Sequence, residues 1–172
     1  MIHDLLATSL RALRRLDGSD DLDDKRAAAD DVVDGHLALG LALARAPELR
    51  WEGEMTDFLY DSAPLVARNA TFLAAHVDNT RRLLGLPFDG EDDWGRVCAR
   101  RSAFEFLRAL YEESEAADAL AAIDLAEVDE RLRFVGAREG QRGEGAPDDV
   151  PVTHWWWWLP GDPPDASEEG AS

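Results

Sequence analysis

The sequence LALGLALA, residues 37–44, decides the fold class of this chain. Leucine, alanine and glycine follow one another there without a charged residue, so a helix through this stretch is apolar around its whole circumference. Such a helix belongs in the centre of a bundle rather than on its surface. Gly40, in the middle of the stretch, favours the close approach of a second helix. We therefore expect a central, buried helix that other helices surround.

The segments on either side of this stretch also have helical periodicity. From Ile2 to Val135 apolar residues recur at intervals of three and four, and strand-like alternation is absent. Prolines, glycines and possible helix caps divide this region into five or six helices with short connections. For example, Ser62 and Pro64 are expected to end one helix and begin the next. The sequence predicts an all-α fold, a single helical bundle spanning residues 1–138.

The composition changes after residue 138. Residues 139–149 are rich in glycine and charged residues, which is typical of a flexible linker. Residues 161–172 are polar and contain proline, which is typical of a disordered tail. Between them, residues 150–160 contain tryptophans flanked by prolines, and we expect an extended, Trp-rich strap.

Four consecutive tryptophans, Trp155 to Trp158, make the strap the most unusual segment of the chain. In an extended segment successive side chains point to opposite faces, so no single surface receives all four rings. We expect one pair, Trp155 with Trp157 or Trp156 with Trp158, to pack on the bundle. The other pair is then covered by a loop, a second copy or a different partner. The alternative is an internal lid, in which the chain itself covers both faces.

These rings suggest a function in binding. Tryptophan is enriched at the energetic centres of interfaces, and a short aromatic segment on a linker suits docking into a groove. The leading hypothesis is a non-enzymatic interaction or adaptor protein that binds a protein partner, or forms a homo-oligomer, through residues 150–160. The candidate binding residues are His154, Trp155, Trp156, Trp157, Trp158 and Leu159.

Charge and cysteine content exclude several classes of function. The net charge is −18, which opposes binding to nucleic acid or to anionic membrane surfaces. No apolar run approaches the roughly 20 residues that a membrane span needs.

Lys25 is the only lysine among many acids and arginines, a composition typical of salt-adapted proteins. The single cysteine, Cys98, cannot form an internal disulfide, so we expect a cytoplasmic protein. No cofactor is expected.

Two histidines suggest a metal site as an alternative. His36 and His76 lie on apolar faces of different predicted helices, and inward-facing histidines of a bundle can hold a metal. The sequence has no Glu-x-x-His or His-x-x-x-His pair to accompany them. Satisfied core histidines are the other interpretation.

A second enzymatic alternative involves Arg68, Asn69 and His76. Residues eight apart return to nearly the same face of a helix, and Asn69 is a polar residue on the buried stripe. The Arg68-to-His76 pair resembles the Arg-to-His motif of the HEPN ribonucleases, with seven intervening residues where that motif has four to six. The resemblance implies RNA cleavage by Arg68 and His76. Alternatively, Asn69 and His76 form hydrogen bonds to each other or to a neighbouring helix.

Overall fold

The structure is a computed structural model that describes residues 2–85, 91–139 and 146–161. Helices supply all the regular structure in these ranges, which confirms the predicted all-α bundle. The α-helices of the described ranges are α1 (Ile2–Gly18), α2 (Leu22–Arg45), α3 (Gly53–Leu83), α4 (Glu91–Leu110), α5 (Ala117–Ala121) and α6 (Ala126–Glu139). The same ranges contain two short 3-10 helices, Pro47–Trp51 and Trp155–Trp158.

Helix α2 is the central element that the apolar stretch predicts. It packs against α1, α3 and α4. Leu39, one of its residues, is completely buried in the core. Helix α4 comes very close to α2 at Gly40, because a Cβ atom added there would lie 2.1 Å from Cγ of Phe106. Only a residue without a side chain allows this approach. The close helix contact expected at Gly40 is confirmed.

The amphipathic helix α1 covers one side of α2. Its buried residues include Leu6, Leu13 and Leu16, while the arginines between them face outward. Full burial of each leucine side chain stabilises the fold by about 1.5–3 kcal/mol relative to exposure. Asp21 caps the N-terminus of α2 by accepting a hydrogen bond of 2.8 Å from the backbone N–H of Asp24.

Helix α3 is continuous, so the break predicted at Ser62 and Pro64 is wrong. Pro64 lies inside the helix and removes one backbone donor, which would otherwise bond to the carbonyl of Tyr60. Because Tyr60 is exposed, water can satisfy that carbonyl. Ser62 is not a cap: its hydroxyl is buried and hydrogen-bonded to the hydroxyl of Tyr111 at 2.9 Å. Buried residues on both sides of the proline, Ser62 before it and Val66 after it, hold the helix in the bundle.

The chain returns to the bundle after α6. Most of the predicted linker and nearly all of the predicted tail lie outside the described residues. From residue 146 the chain packs on the bundle again, where Asp149 pairs with Arg45 of α2 and Val150 is buried. None of the described helices combines the length and hydropathy that crossing a membrane requires.

Candidate functional site

The tryptophan run differs in conformation from the extended strap that was expected. Residues 155–158 form one turn of 3-10 helix. The backbone N–H of Trp157 donates to the carbonyl of His154 (3.2 Å), and that of Gly161 donates to the carbonyl of Trp158 (2.8 Å). Two rings that are adjacent in the chain can then face the same side, which an extended chain forbids.

The pair of rings that packs on the bundle consists of neighbours. Trp156 and Trp157 are each 2 % exposed, whereas Trp155 and Trp158 keep part of their surface accessible. The prediction that Trp155 with Trp157, or Trp156 with Trp158, packs on the bundle is therefore wrong. It assumed an extended backbone, in which only alternate side chains share a face. His154 is also buried, at 3 % exposure, and Leu159 is partly buried.

A single serine of α4 holds the buried part of this segment. Ser102 is completely buried, and its hydroxyl oxygen lies 3.1 Å from Nε1 of Trp156 and 2.9 Å from Nε1 of Trp157. It also lies 3.0 Å from Nδ1 of His154. Each indole N–H can only donate, so the two tryptophans use both lone pairs of the serine oxygen. The serine hydrogen remains, and it bonds to His154.

This arrangement fixes the protonation state of His154. Its Nδ1 accepts the serine hydrogen, so the neutral ring carries its own hydrogen on Nε2. Burial lowers the pKa of His154 from 6.5 to about 4. The ring stacks on Trp156 and packs against Phe106, each at a centroid distance of 4.8 Å. His154 thus connects the tryptophan run to the residue that contacts Gly40 of α2.

Arginines cover two of the indole rings. The guanidinium of Arg101 lies 4.3 Å from the ring centroid of Trp156 and is held by Asp129 (2.6 Å) and Glu105 (2.8 Å). The guanidinium of Arg133 lies at the same distance from Trp155. A cation over an indole face is attracted by the electron density of the ring. Arginines of α4 and α6 therefore help to bind the tryptophan run to the bundle.

The structure places the other predicted site residues in separate contacts. Arg68 donates two hydrogen bonds to Asp17 (2.9 and 3.2 Å), and Asn69 donates to the same carboxylate (2.9 Å). These bonds lower the pKa of Asp17. His76 lies two helical turns away, with Nδ1 3.4 Å from a carboxylate oxygen of Asp30. Arg68 and Asn69 thus share one acid, and His76 faces another.

His36 belongs to a third, fully buried group. Its Nδ1 lies 2.7 Å from the carbonyl oxygen of Val32, and its Nε2 lies 3.1 Å from the hydroxyl of Tyr111, which also contacts Ser62. Burial lowers the pKa of His36 to about 4. Among the described residues, no group of three or more histidine, cysteine, aspartate or glutamate side chains is arranged to hold a metal ion.

Among the described residues, the most exposed tryptophan and tyrosine were not predicted from the sequence. Trp51 and Tyr60 are each 83 % exposed, beside a groove of about 900 Å³ between the first 3-10 helix, α3 and the segment after α4. We call this the Trp51–Tyr60 groove. Its apolar part consists of Leu59, Ala63, Pro64 and Leu110. The available signal was that Tyr60 lies off the buried stripe of α3, which includes Met55 and Phe58.

The Trp51–Tyr60 groove is acidic. Its carboxylates are Asp61, Glu112, Glu113 and Glu115, and among the described residues Arg50 is its only basic side chain. Arg50 is already engaged, because it donates to the carbonyl of Ala109 (2.9 Å) and to Glu112 (3.2 Å).

Comparison of the chain with protein-family models, with curated proteins and with solved structures finds no match. Its function must therefore be inferred from its own fold and side-chain contacts.

Proposed function

We propose that this chain is a non-enzymatic interaction protein that binds a protein partner in the Trp51–Tyr60 groove. The observation that carries the proposal is the 83 % exposure of both Trp51 and Tyr60 beside a groove with an apolar floor. The other described tryptophans are all buried or partly buried. Aromatic side chains beside an open groove are typical of the anchor points of protein interfaces.

The proposed function is still the binding of a protein partner, as expected from the sequence. The proposed binding surface is now the Trp51–Tyr60 groove instead of residues 150–160. In residues 150–160, the side chains best suited to anchoring a partner are already used inside the bundle, on Ser102, Phe106 and Arg101. Of the six candidate binding residues, only Trp155, Trp158 and Leu159 keep partly exposed faces. We therefore propose that residues 150–160 have a structural role, in which they pack against α4 and α6. We call this packed segment the clasp.

The contacts of the candidate catalytic residues favour a binding protein over an enzyme. Arg68 and Asn69 are held by Asp17, while His36 is enclosed with Tyr111. His76 lines a separate cleft next to Asp30, and it is the group that a ribonuclease would need. An RNA-cleavage assay with His76→Ala, and metal analysis of the purified protein, test the two enzymatic alternatives directly.

The partner we propose is a protein, encountered in the cytoplasm. A net charge of −18 repels the phosphate backbone of nucleic acids, so an RNA or DNA partner fits poorly. The only cysteine of the sequence, Cys98, is a free and buried thiol, as suits a reducing compartment.

Affinity capture with the tagged full chain tests the proposed surface. A double variant, Trp51→Ala with Tyr60→Ala, should fold normally because both side chains are exposed, and it should lose the captured partner. Phe134→Ala is the matched control, since Phe134 is also exposed, at 67 %, but lies on α6. Loss of the partner on Trp155→Ala with Trp158→Ala, and its retention by the Trp51 and Tyr60 variant, would place docking on residues 150–160 instead.

A further inference from the structure

We infer that the Trp51–Tyr60 groove receives a basic, arginine-bearing segment of the partner protein. This inference rests on the proposed function and adds the chemistry of the occupant. Its first basis is charge. The described residues that line the groove include four carboxylates and one guanidinium, and that guanidinium, of Arg50, is engaged by Glu112.

Two of the carboxylates in the groove are available to a partner. Asp61 is paired with Arg14 (3.0 Å), and Glu112 is paired with Arg50 (3.2 Å). Glu113 and Glu115 are exposed, and no cation of the described residues lies within ion-pair distance of either. Glu115 is still close enough to Arg68 to help Asp17 raise the pKa of that guanidinium, so Glu113 is the freer of the two. Complementary charge selects partners and speeds their encounter, so these two acids favour a basic segment.

The second basis is a contact that the protein already forms at Trp156, where an arginine that is held by carboxylates lies over an indole ring. On Trp156, an arginine lies over the indole at 4.3 Å, and two carboxylates, Asp129 and Glu105, hold its guanidinium. The groove presents the same two components, an indole at Trp51 and carboxylates at Glu113 and Glu115.

A cation over the indole is the component that the groove lacks, because Arg50, its one described basic side chain, is bound to Glu112 and to the carbonyl of Ala109. No cation of the described residues stacks on Trp51 or Tyr60. Arginine is the side chain that both stacks on aromatic rings and bonds carboxylates with its planar fork, so it supplies the missing part. A second copy of this chain is a poorer occupant, because two chains of net charge −18 repel each other.

The test uses short fluorescent peptides that carry arginines between leucine and glycine residues, with matched peptides in which glutamine replaces arginine. Fluorescence anisotropy with the full chain gives the dissociation constants. We expect the arginine peptides to bind about tenfold or more tightly than the glutamine peptides, and less tightly as salt rises. Glu113→Gln with Glu115→Gln, and separately Trp51→Ala, should each weaken binding by about tenfold. Glu130→Gln and Phe134→Ala, exposed residues of α6, should leave binding unchanged.

The outcomes separate this inference from the proposed function. If capture of the partner depends on Trp51 and Tyr60 but arginine peptides bind no better than glutamine peptides, the inference is overturned and the proposed function stands. The same conclusion holds if Glu113→Gln with Glu115→Gln has no effect, or if sedimentation shows a dimer that Trp51→Ala dissociates. If the partner is retained by the Trp51 and Tyr60 variant, the proposed function itself fails.

Discussion

The side chain of Leu159 occupies the space beside Gly136 that a Cβ atom would need. A Cβ atom added at position 136 would lie 2.4 Å from Cδ1 and 2.9 Å from Cβ of Leu159, and 2.7 Å from Cη2 of Trp94. Trp94 is buried in the core, so its ring has little room to move. The glycine of α6 therefore sets how closely the C-terminal segment approaches the bundle.

We predict that Gly136→Ala lowers the free energy of unfolding by about 1–3 kcal/mol, because the clash forces the segment away from α6. Gly95→Ala is the matched control within α4, since a Cβ atom there meets no described atom within 4 Å. The control should raise stability by up to about 1 kcal/mol through helix propensity. Thermal unfolding followed by circular dichroism measures both. Equal effects of the two changes would show that Leu159 does not pack on Gly136.

We predict that Ser102→Ala lowers the free energy of unfolding by about 3 kcal/mol or more. The change leaves the N–H groups of Trp156 and Trp157 and Nδ1 of His154 without their common partner, and an unpaired buried polar group costs about 1–3 kcal/mol.

The control for this prediction is Ser9→Ala. Ser9 is also a completely buried helical serine, but its hydroxyl has no hydrogen-bond partner among the described residues. Its removal should be neutral or stabilising, because burial of an unpaired hydroxyl is costly. Urea unfolding of both variants decides the matter. A loss of stability no larger at Ser102 than at Ser9 would refute the role of Ser102.

Several features of this fold can be predicted from the sequence and others cannot. The helical period and the glycine in LALGLALA are local signals, and they predict α2 and its close contact correctly. The uninterrupted helix through Pro64 was missed because packing around Ser62 overrides the local break signal.

The packing of the clasp on Ser102 could not be predicted either, because it also depends on tertiary contacts. Ser102 is 52–55 residues away from the three side chains that it joins, and no local pattern indicates such a contact. The Trp51–Tyr60 groove also depends on distant segments, since it forms where α3 meets the chain after α4. Exposure of a tryptophan cannot be deduced from helical periodicity when the residue lies in a 3-10 turn.

We predict that the protein loses stability as the pH falls from about 6.5 to about 4. Burial lowers the pKa of both His36 and His154 to about 4, while an unfolded histidine titrates near 6.5. Between these values the unfolded chain binds more protons, so the free energy of unfolding decreases as the pH decreases. Above pH 6.5 the histidine contribution is constant.

Urea unfolding at several pH values measures this dependence. Carboxylates whose pKa is lowered in the fold, such as Asp17 and Glu127, lose their contribution only below their unfolded values of 3.8 and 4.5. The interval from about pH 5 to 6.5 therefore reports the histidines, set against an effect of opposite sign from Asp34, whose pKa is raised by burial. His154→Gln should reduce the slope of the profile in that interval, and His36 should still contribute to what remains. A flat profile for the unmodified chain would contradict the buried, neutral state of both rings.

We predict that salt raises the melting temperature. A net charge of −18 makes the folded chain repel itself, and salt screens charges separated by more than about 3 Å at 1 M. Thermal unfolding at low and at about molar sodium chloride measures the effect. An unchanged melting temperature would mean that the ion pairs of the surface already balance the excess of acids.

The tryptophan run completes the hydrophobic core through Trp156 and Trp157. The most direct measurement compares the melting temperatures of two truncated chains, one ending at Val150 and one ending at Gly161, with that of the full chain. Two buried indoles contribute several kcal/mol at about 25 cal/mol per Å², a large part of the stability of a domain. We predict that the chain ending at Gly161 melts like the full chain, while the chain ending at Val150 melts far lower or does not fold. A chain ending at Val150 that keeps the melting temperature of the full chain would contradict the account.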